Sequence, residues 1–470
     1  MSIAGAEAIG VEVVPAHDSL PRTLRPRHVE MIAIGGIIGA GLFVGSSAAI
    51  AAVGPAVMLS YAAAGLIVLL VMRMLSEMAS ALPGVQSFTD FTRVALGNWA
   101  AFLSGWLYWY FWVVVVAIEA IAGATIICSW WPSLAIWQVA ALLTLFLTGV
   151  NLMSARSYGE FEFWLSGIKV AAILAFILIA LAFVSGAFGH GGTGISLWTR
   201  DGFAPHGALP ALAGVTTVIF ALVGAEIATI AAAESNAGPR IIARLTVNVA
   251  LRILLFYVAS IALIVAVVPW HDIVPGYSPF ATALDAMGIP AGAAVMQAIV
   301  LVAVLSCLNS GIYVASRALF GLAKHGDAPR LLTRTGAHGV PRIAILVGAV
   351  ASLIALASSV ASPQQAFAFL VNASGAIMLL LYLLVAAAQL RLRNQLEKTD
   401  PERLTIRMWL HPWATIFAMA SMGAVLIAMA VDPGLRSQFE ATAIAVAVAC
   451  IGYVVSYRMK SAGYSAARAS

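Results

Sequence analysis

The sequence predicts an all-α, polytopic membrane protein of twelve transmembrane helices, in which helices 1 and 6 are broken. Three observations lead there. Of 470 residues, 62% are hydrophobic and 10% charged, and the mean hydropathy is +0.98, a balance outside the range of water-soluble domains. The apolar residues fall into runs of about 20, the length that crosses a bilayer as a helix. Two runs carry an interruption at mid-depth, where a lipid-exposed helix has no reason to weaken itself.

In chain order the predicted spans are 29–51, 55–80, 99–130, 134–152, 161–185, 208–233, 244–269, 283–321, 343–361, 365–390, 411–431 and 439–457. An even number puts both termini on one side, and the charges choose the side. About 20 of the 25 lysines and arginines fall in the two tails and in loops after even-numbered spans, which places both tails in the cytoplasm. Residues 186–207, rich in Gly, Pro and His, then form an external loop. Residues 1–28 read as a cytoplasmic tail rather than a signal peptide, because the first apolar run is glycine-broken and lacks a small-residue cleavage site. Residues 391–410 read as a charged cytoplasmic loop, 411–457 as two additional helices, and 458–470 as a second tail. The core, 29–390, divides into 29–185 and 208–390. With five spans in each half, the second is inverted relative to the first, a five-plus-five inverted repeat whose halves both begin with a broken span.

Two interrupted segments at equivalent places in two halves are the sequence pattern of a secondary transporter's binding site. Composition excludes other classes. The basic balance, with an isoelectric point near 9.2, comes from loop residues that set topology, so no nucleic-acid partner is expected. Cys128, Cys307 and Cys450 sit in or beside apolar runs and suggest neither a disulfide framework nor a metal site. No zinc-ligand run, haem pair or nucleophile elbow is present, so no enzyme, cofactor or metal is expected.

The first break lies at Gly35–Gly41, where VEMIAIGGIIGAGLFVGSS holds five glycines in eleven residues. Unwinding exposes backbone N–H groups, and the start of the following half-helix adds partial positive charge. Gly39, Ala40 and Gly41 are the candidate donors for a substrate carboxylate. The alternative is close helix packing through small residues. Bulk at Gly41 is expected to harm function more than bulk at Gly65 in span 2.

The second break lies at Phe220, Ala221, Leu222, Val223, Gly224, Ala225 and Glu226. Unwinding there frees carbonyls for a substrate amine, and Phe220 is placed to act as a flap. A carboxylate at the depth of Glu226 costs about 2.5–3.5 kcal/mol on insertion scales and must be offset. Substrate contact and a structural hydrogen bond both remain open. Lys169 lies nine residues past Glu160, too deep for comfortable snorkelling. Burial disfavours the charged form of a lysine, so Lys169 can carry a proton in one state and release it in another, or act as a fixed cation on span 1 carbonyls. Glu119 is also at mid-membrane, either lining the cavity or bonding within the bundle. Asn309, Ser310, Asn372 and Ser374 are weaker candidates, since polar residues at such depth often join helices. The aromatic run Trp106–Trp112 reads as packing.

HVEMIAIGGIIGAGLFVGSS resembles the first-span signature of amino acid permeases of the amino acid–polyamine–organocation superfamily. VGAEIATIAAAES is similar to their sixth span, YGEFEFW to the start of their fifth, and SCLNSGIYVASRALFGLAKHGDAP to their eighth. Within the superfamily the chain is most similar to the bacterial 4-aminobutyrate (GABA) permease group, through GSSAAIAAVGPAV, GWLYWYFWV, RMWLHPW and related segments. The resemblance covers about residues 24–460. It implies a LeuT-like fold and proton-coupled uptake of a small amino acid across the bacterial inner membrane. It also implies carboxylate recognition at Gly39–Gly41, amine recognition around Phe220–Glu226, and a coupling role for Lys169, with Glu226 as a second coupling candidate. Ala40 stands where the family usually has threonine and Ser47 where it usually has glycine; the GABA group shares both changes. Exchange, transport of another amino acid, and a transporter-like nutrient sensor are the competing expectations.

Overall fold

In lipid, every backbone N–H and C=O must find its partner within the protein, and this chain meets the condition with helices. The computed structural model describes residues 38–82, 85, 87–153, 156–187, 194–224, 226, 252–336 and 339–469. Among these residues there is helix and no strand. Nine of the described helices are long and apolar enough to cross a membrane. The protein is therefore a polytopic helical membrane protein, as its composition predicts.

The first of the nine runs, Gly41–Ala81, contains predicted spans 1 and 2. A tight turn at Gly54–Ala56 divides them, with Gly54 at φ 74° and Pro55 opening the next stretch. The others are Asn98–Trp130, Ile136–Met153, Glu162–Val184, Pro290–Lys324, Arg342–Val360, Pro363–Thr399, Trp413–Val431 and Arg436–Arg458. Spans 6 and 7 supply shorter apolar helices, Ala208–Leu222 and Leu255–Val267. Gly35 and Gly36 of the first break, Ala225 of the second, and residues 227–251 lie outside the described residues.

Two boundaries differ from expectation. The window 283–321 merges two helices, Pro279–Ala286 and Pro290–Lys324. Gly288 at φ 76° turns the chain between them, and Pro290 then opens the second, where a missing N–H costs nothing. The helix of span 10 runs on to Thr399, so much of the segment read as a loop from 391 is helical. RLRNQLEKT is rich in helix formers, and Arg393 bonds Glu397 one turn on at 2.6 Å.

Span 3 occupies the centre. Its apolar window is 94% buried, against 6% for span 12, as expected of a helix that is hydrophobic all round. It packs on spans 4, 8, 9, 10 and 12. Its aromatic run interlocks edge to face, Trp106 on Trp109 at 5.4 Å and Tyr108 on Trp112 at 6.0 Å between ring centroids.

Buried polar groups tie the ends of spans together. Glu77, 2% exposed near the end of span 2, accepts from Arg393 Nη1 at 2.6 Å, from Gln389 Nε2 at 2.8 Å and from the Met408 N–H. The Gln389 carbonyl accepts from Thr415 at 2.9 Å, bringing span 11 into the same network. Arg73 donates twice to the Arg407 carbonyl and stacks on Trp409. Further along, a short helix Phe88–Leu96, capped by Ser87, binds the end of span 8 through Arg93 and Asp327 at 2.6 Å.

Spans 6 and 10 meet at Gly375, where a Cβ would lie 1.9 Å from the Thr216 carbonyl oxygen. No rotamer relieves that clash, because the opposing atom is backbone. Gly375→Ala is expected to lower the apparent Tm of the detergent-purified protein, at the upper end of the roughly 1–3 kcal/mol typical of overpacking. Gly423→Ala in span 11, with nothing within 4 Å of its Cβ, should leave Tm within the roughly 0.5 kcal/mol scatter of neutral sites. Equal melting of the two variants would contradict the packing.

Candidate functional site

The two breaks lie side by side. Ile38 is non-helical, Gly39 forms a bend, and helix begins at Ala40, followed by a wide π turn at Gly41–Gly45. A helix therefore starts inside the apolar run, and the first N–H groups of a helix need partners from outside its own turns. A Cβ on Gly41 would sit 2.7 Å from the Ala221 Cα, so only glycine lets span 1 approach the second break this closely. Span 6 is α-helical from Val215 to Leu222; Val223 is extended (φ −62°, ψ 152°) and Gly224 takes φ 99°. That positive φ is glycine's territory.

Each break meets a carboxylate. The Ala40 N–H donates to Glu119 of span 3, 3.1 and 3.0 Å from its two oxygens. The Cys307 thiol hydrogen-bonds the same carboxylate, and Gly39 is flanked by both side chains, leaving no room for a Cβ. At the second break the Gly224 N–H donates to Glu226 Oε2 at 2.8 Å, and Tyr382 Oη lies 3.4 Å from the same oxygen. Glu226 Oε1 makes no hydrogen bond among the described residues. Leu75, Met378, Leu381, Tyr382 and Val385 line the space beside it. Arg252, buried at the start of the described part of span 7, is near enough for its charge to act on Glu226.

Phe220 is buried and its ring tilts against Phe111 of span 3 at 6.4 Å. Ala221 is the backbone surface on which Gly41 rests, and Val223 carries the extended backbone. Lys169 is fully buried in span 5. Its Nζ is 3.0 Å from Ser306 Oγ and 3.5 Å from Glu162 Oε1, and Ser306 Oγ donates to Glu162 Oε2 at 2.6 Å. The described partners of Lys169 are thus on spans 5 and 8; residues 29–37 of span 1 lie outside the described residues.

Of the weaker candidates, Asn309 accepts from Asn151 at 2.7 Å, joining spans 8 and 4, and Asn372 accepts from Thr217, joining spans 10 and 6. Ser374 bonds its own helix. Ser47 accepts from the Gly276 N–H at 3.0 Å, so the hydroxyl found in place of glycine anchors a connecting segment. Glu162, Ser306, Tyr382 and Arg252 were not singled out in the sequence. Glu162 and Lys169 are seven residues apart, two turns along one face, a spacing that betrays the pair. Arg252 lies inside an apolar run as Lys169 does, and the same depth argument finds it. Nothing local marks Ser306 or Tyr382.

A bundle of membrane-crossing helices, in which a helix start at Ala40 and a helix end at Leu222 lie side by side and each sits beside a buried carboxylate, defines a polytopic membrane protein with an interior polar site. The chain belongs to the amino acid permease family: the profile described as "Amino acid permease" matches residues 28–462. It is 44% identical over 454 residues to the gamma-aminobutyric acid permease of Bacillus subtilis (strain 168), covering 96% of this chain and 97% of that one. It is 42% identical over 433 residues to the gamma-aminobutyric acid permease of Escherichia coli (strain K12), covering 91% and 92%. The aromatic amino acid transport protein AroP of Corynebacterium glutamicum is 38% identical over 435 residues, covering 91% and 94%. The protein is thus an amino acid permease, a transporter and not an enzyme.

The packing also changes what a glycine series can test. A Cβ on Gly65 would meet the Ile253 side chain at 2.5 Å, so Gly65 is not a free surface position. It does, however, face a side chain able to turn, whereas Gly41 faces backbone. Gly41→Ala is expected to cut uptake at least about tenfold at equal membrane expression, Gly65→Ala several-fold less, and Gly149→Ala, which has nothing within 4 Å, not at all. Uptake by labelled substrate in whole cells, normalised to the amount of protein, orders the three.

Proposed function

We propose that this permease imports 4-aminobutyrate, or a similar small amino acid, together with protons across the bacterial inner membrane. In this reading twelve spans form a five-plus-five inverted repeat, 29–185 and 208–390, with both termini cytoplasmic. The substrate carboxylate binds at Gly39–Gly41. Its amine lies toward Phe220–Glu226, with Glu119 as a further lining group. Lys169 carries the coupling proton, with Glu226 the next candidate.

One observation carries the reading: the N–H at the start of the first half-helix already holds a carboxylate, that of Glu119. A site that holds one carboxylate by backbone N–H and helix-end charge can hold the substrate's in its place once the Glu119 side chain turns away from the Ala40 N–H. The second break supports the amine end, because Glu226 keeps one oxygen without a hydrogen bond among the described residues. The names of the relatives give the substrate class, and those at 42–44% identity favour 4-aminobutyrate over aromatic amino acids. The buried Lys169 stands as a fixed-chain cation, so no sodium ion is required.

Labelled 4-aminobutyrate uptake in proteoliposomes is expected to rise with external acidity, to collapse with a protonophore, and to proceed without sodium. Unlabelled 4-aminobutyrate should compete best in a panel that includes proline and aromatic and aliphatic amino acids. Stronger competition by phenylalanine or tyrosine would move the assignment to the aromatic group, and strict sodium dependence at fixed pH would remove proton coupling. Lys169→Ala should abolish accumulation against a gradient while sparing counterflow, because coupling requires linkage between proton and solute binding rather than solute binding alone. Lys169→Arg should not restore it, since a guanidinium does not release its proton in this range.

A further inference from the structure

The environment of Lys169 has a direction. Serine has one hydrogen to give and lone pairs to receive. Ser306 Oγ donates to Glu162 Oε2 at 2.6 Å, so its lone pairs face Lys169 Nζ at 3.0 Å. The atoms line up as ammonium, hydroxyl, carboxylate, each donating to the next. Glu162 Oε1 also faces Nζ directly at 3.5 Å and accepts from Ser166 at 3.4 Å. All four side chains are closed off from solvent. The shortest link in the set is the one from hydroxyl to carboxylate.

We propose that Ser306 and Glu162 complete, with Lys169, a three-member proton relay through which this permease loads and unloads its coupling proton. The inference rests on the proton-coupled reading above and extends it from a single lysine to a unit. One Nζ–H bond breaks as an Oγ–H bond forms on Ser306, and the original Ser306 hydrogen moves to Glu162 Oε2. An ammonium facing a carboxylate becomes an amine facing a carboxylic acid, with no net charge created and no other reactant. The balance matters at this depth. Transfer within the trio leaves the net charge at zero, so the proton crosses from Lys169 to Glu162 without separating charge at this depth. Release from the carboxylic acid then leaves an amine facing a carboxylate, and that single negative charge is the unloaded state of the unit.

The surroundings favour a closed unit. Glu119 of span 3 is near enough for its charge to act on Lys169, and both act on the Cys307 thiol. Neighbouring Ser260–Val267 carries no titratable group, Ile253–Ala259 before it brings the buried Tyr257 near enough for its charge to act on Cys307, and Asp285, the one such group in Pro279–Ala286, is exposed. Glu119, in turn, bonds the Ala40 N–H at the first break. The relay thus stands one residue away from the proposed carboxylate cradle, close enough for its charge state to act on substrate binding.

The test uses the purified full-length protein in proteoliposomes, with labelled 4-aminobutyrate as probe. Accumulation driven by an imposed pH gradient is measured beside counterflow at equal pH. Ser306→Ala and Glu162→Gln should each reduce proton-driven accumulation at least about tenfold, within the range for a lost proton-transfer group, while counterflow stays within about twofold of the parent protein. Ser306→Thr keeps the hydroxyl and should retain accumulation. Parent-like accumulation by Ser306→Ala overturns the relay. So does parallel loss of counterflow and accumulation in Ser306→Ala, which marks Ser306 as packing. A parent protein that exchanges substrate but ignores the pH gradient instead overturns proton coupling itself, and is read in the same preparations before any variant.

Discussion

Span 6 is gripped between two glycines, and the interior is arranged around how close that grip is. Gly41 of span 1 lies against the backbone at Ala221, and Gly375 of span 10 lies against the Thr216 carbonyl. In a bilayer the hydrophobic effect does not drive one helix onto another, so such contacts rely on close packing and on hydrogen bonds between helices. The Thr217–Asn372 bond supplies one at the same interface. The helix Val215–Leu222 is thereby held along its length, and the change of chain direction at its end falls on Val223 and Gly224. The break is where it is because the helix before it cannot move.

The broken helices must then satisfy their backbone groups without water. An interrupted helix in a soluble protein wets its loose N–H groups; here carboxylates do that work. Glu119 reaches across from span 3 to cap the start of the first half-helix, and Glu226 folds back on Gly224 at the second. Buried negative charge then needs compensation, and the charged groups in the interior occur as linked sets: Glu162 with Lys169 through Ser306, and Glu226 within reach of Arg252. Glycines chosen for closeness thus lead to carboxylates, and carboxylates to buried cations.

Much of this architecture was legible in the sequence. The apolar runs give the helical membrane fold because length and hydropathy are properties of each segment alone. The two breaks were legible for the same reason: glycine clusters and a mid-span carboxylate violate the local rule for a lipid-facing helix. Lys169 and Glu119 stood out by depth. Ser306 and Tyr382 did not, because a serine or tyrosine in an apolar run is ordinary until a partner from another span faces it. The junction at Gly288–Pro290 was hidden by hydropathy that stays high across a short helix and the next span. The helical stretch to Thr399 was hidden by its charge, which in a membrane protein reads first as loop. For Ser306, Tyr382 and the Gly288–Pro290 junction the deciding information was a neighbour distant in sequence or a turn inside an apolar window, whereas Glu162, Arg252 and the helix to Thr399 carried local signals of spacing, depth and propensity.

The Glu77 cluster adds a consequence in time. Glu77 and Arg393 are separated by 316 positions in the chain. At synthesis rates of about 5–20 residues per second, roughly 15–60 s pass between the emergence of the acid and that of its base. Thr415, which secures Gln389 from span 11, comes later still. For that interval the end of span 2 holds a carboxylate without the partners that later bury it, so it stays at the water boundary. Arrival of the last part of the chain draws it in. The cluster therefore closes a nascent protein from its far end: the early spans are inserted first, and their edge, cytoplasmic in the proposed topology, is sealed only once Arg393, Met408 and Thr415 have been made.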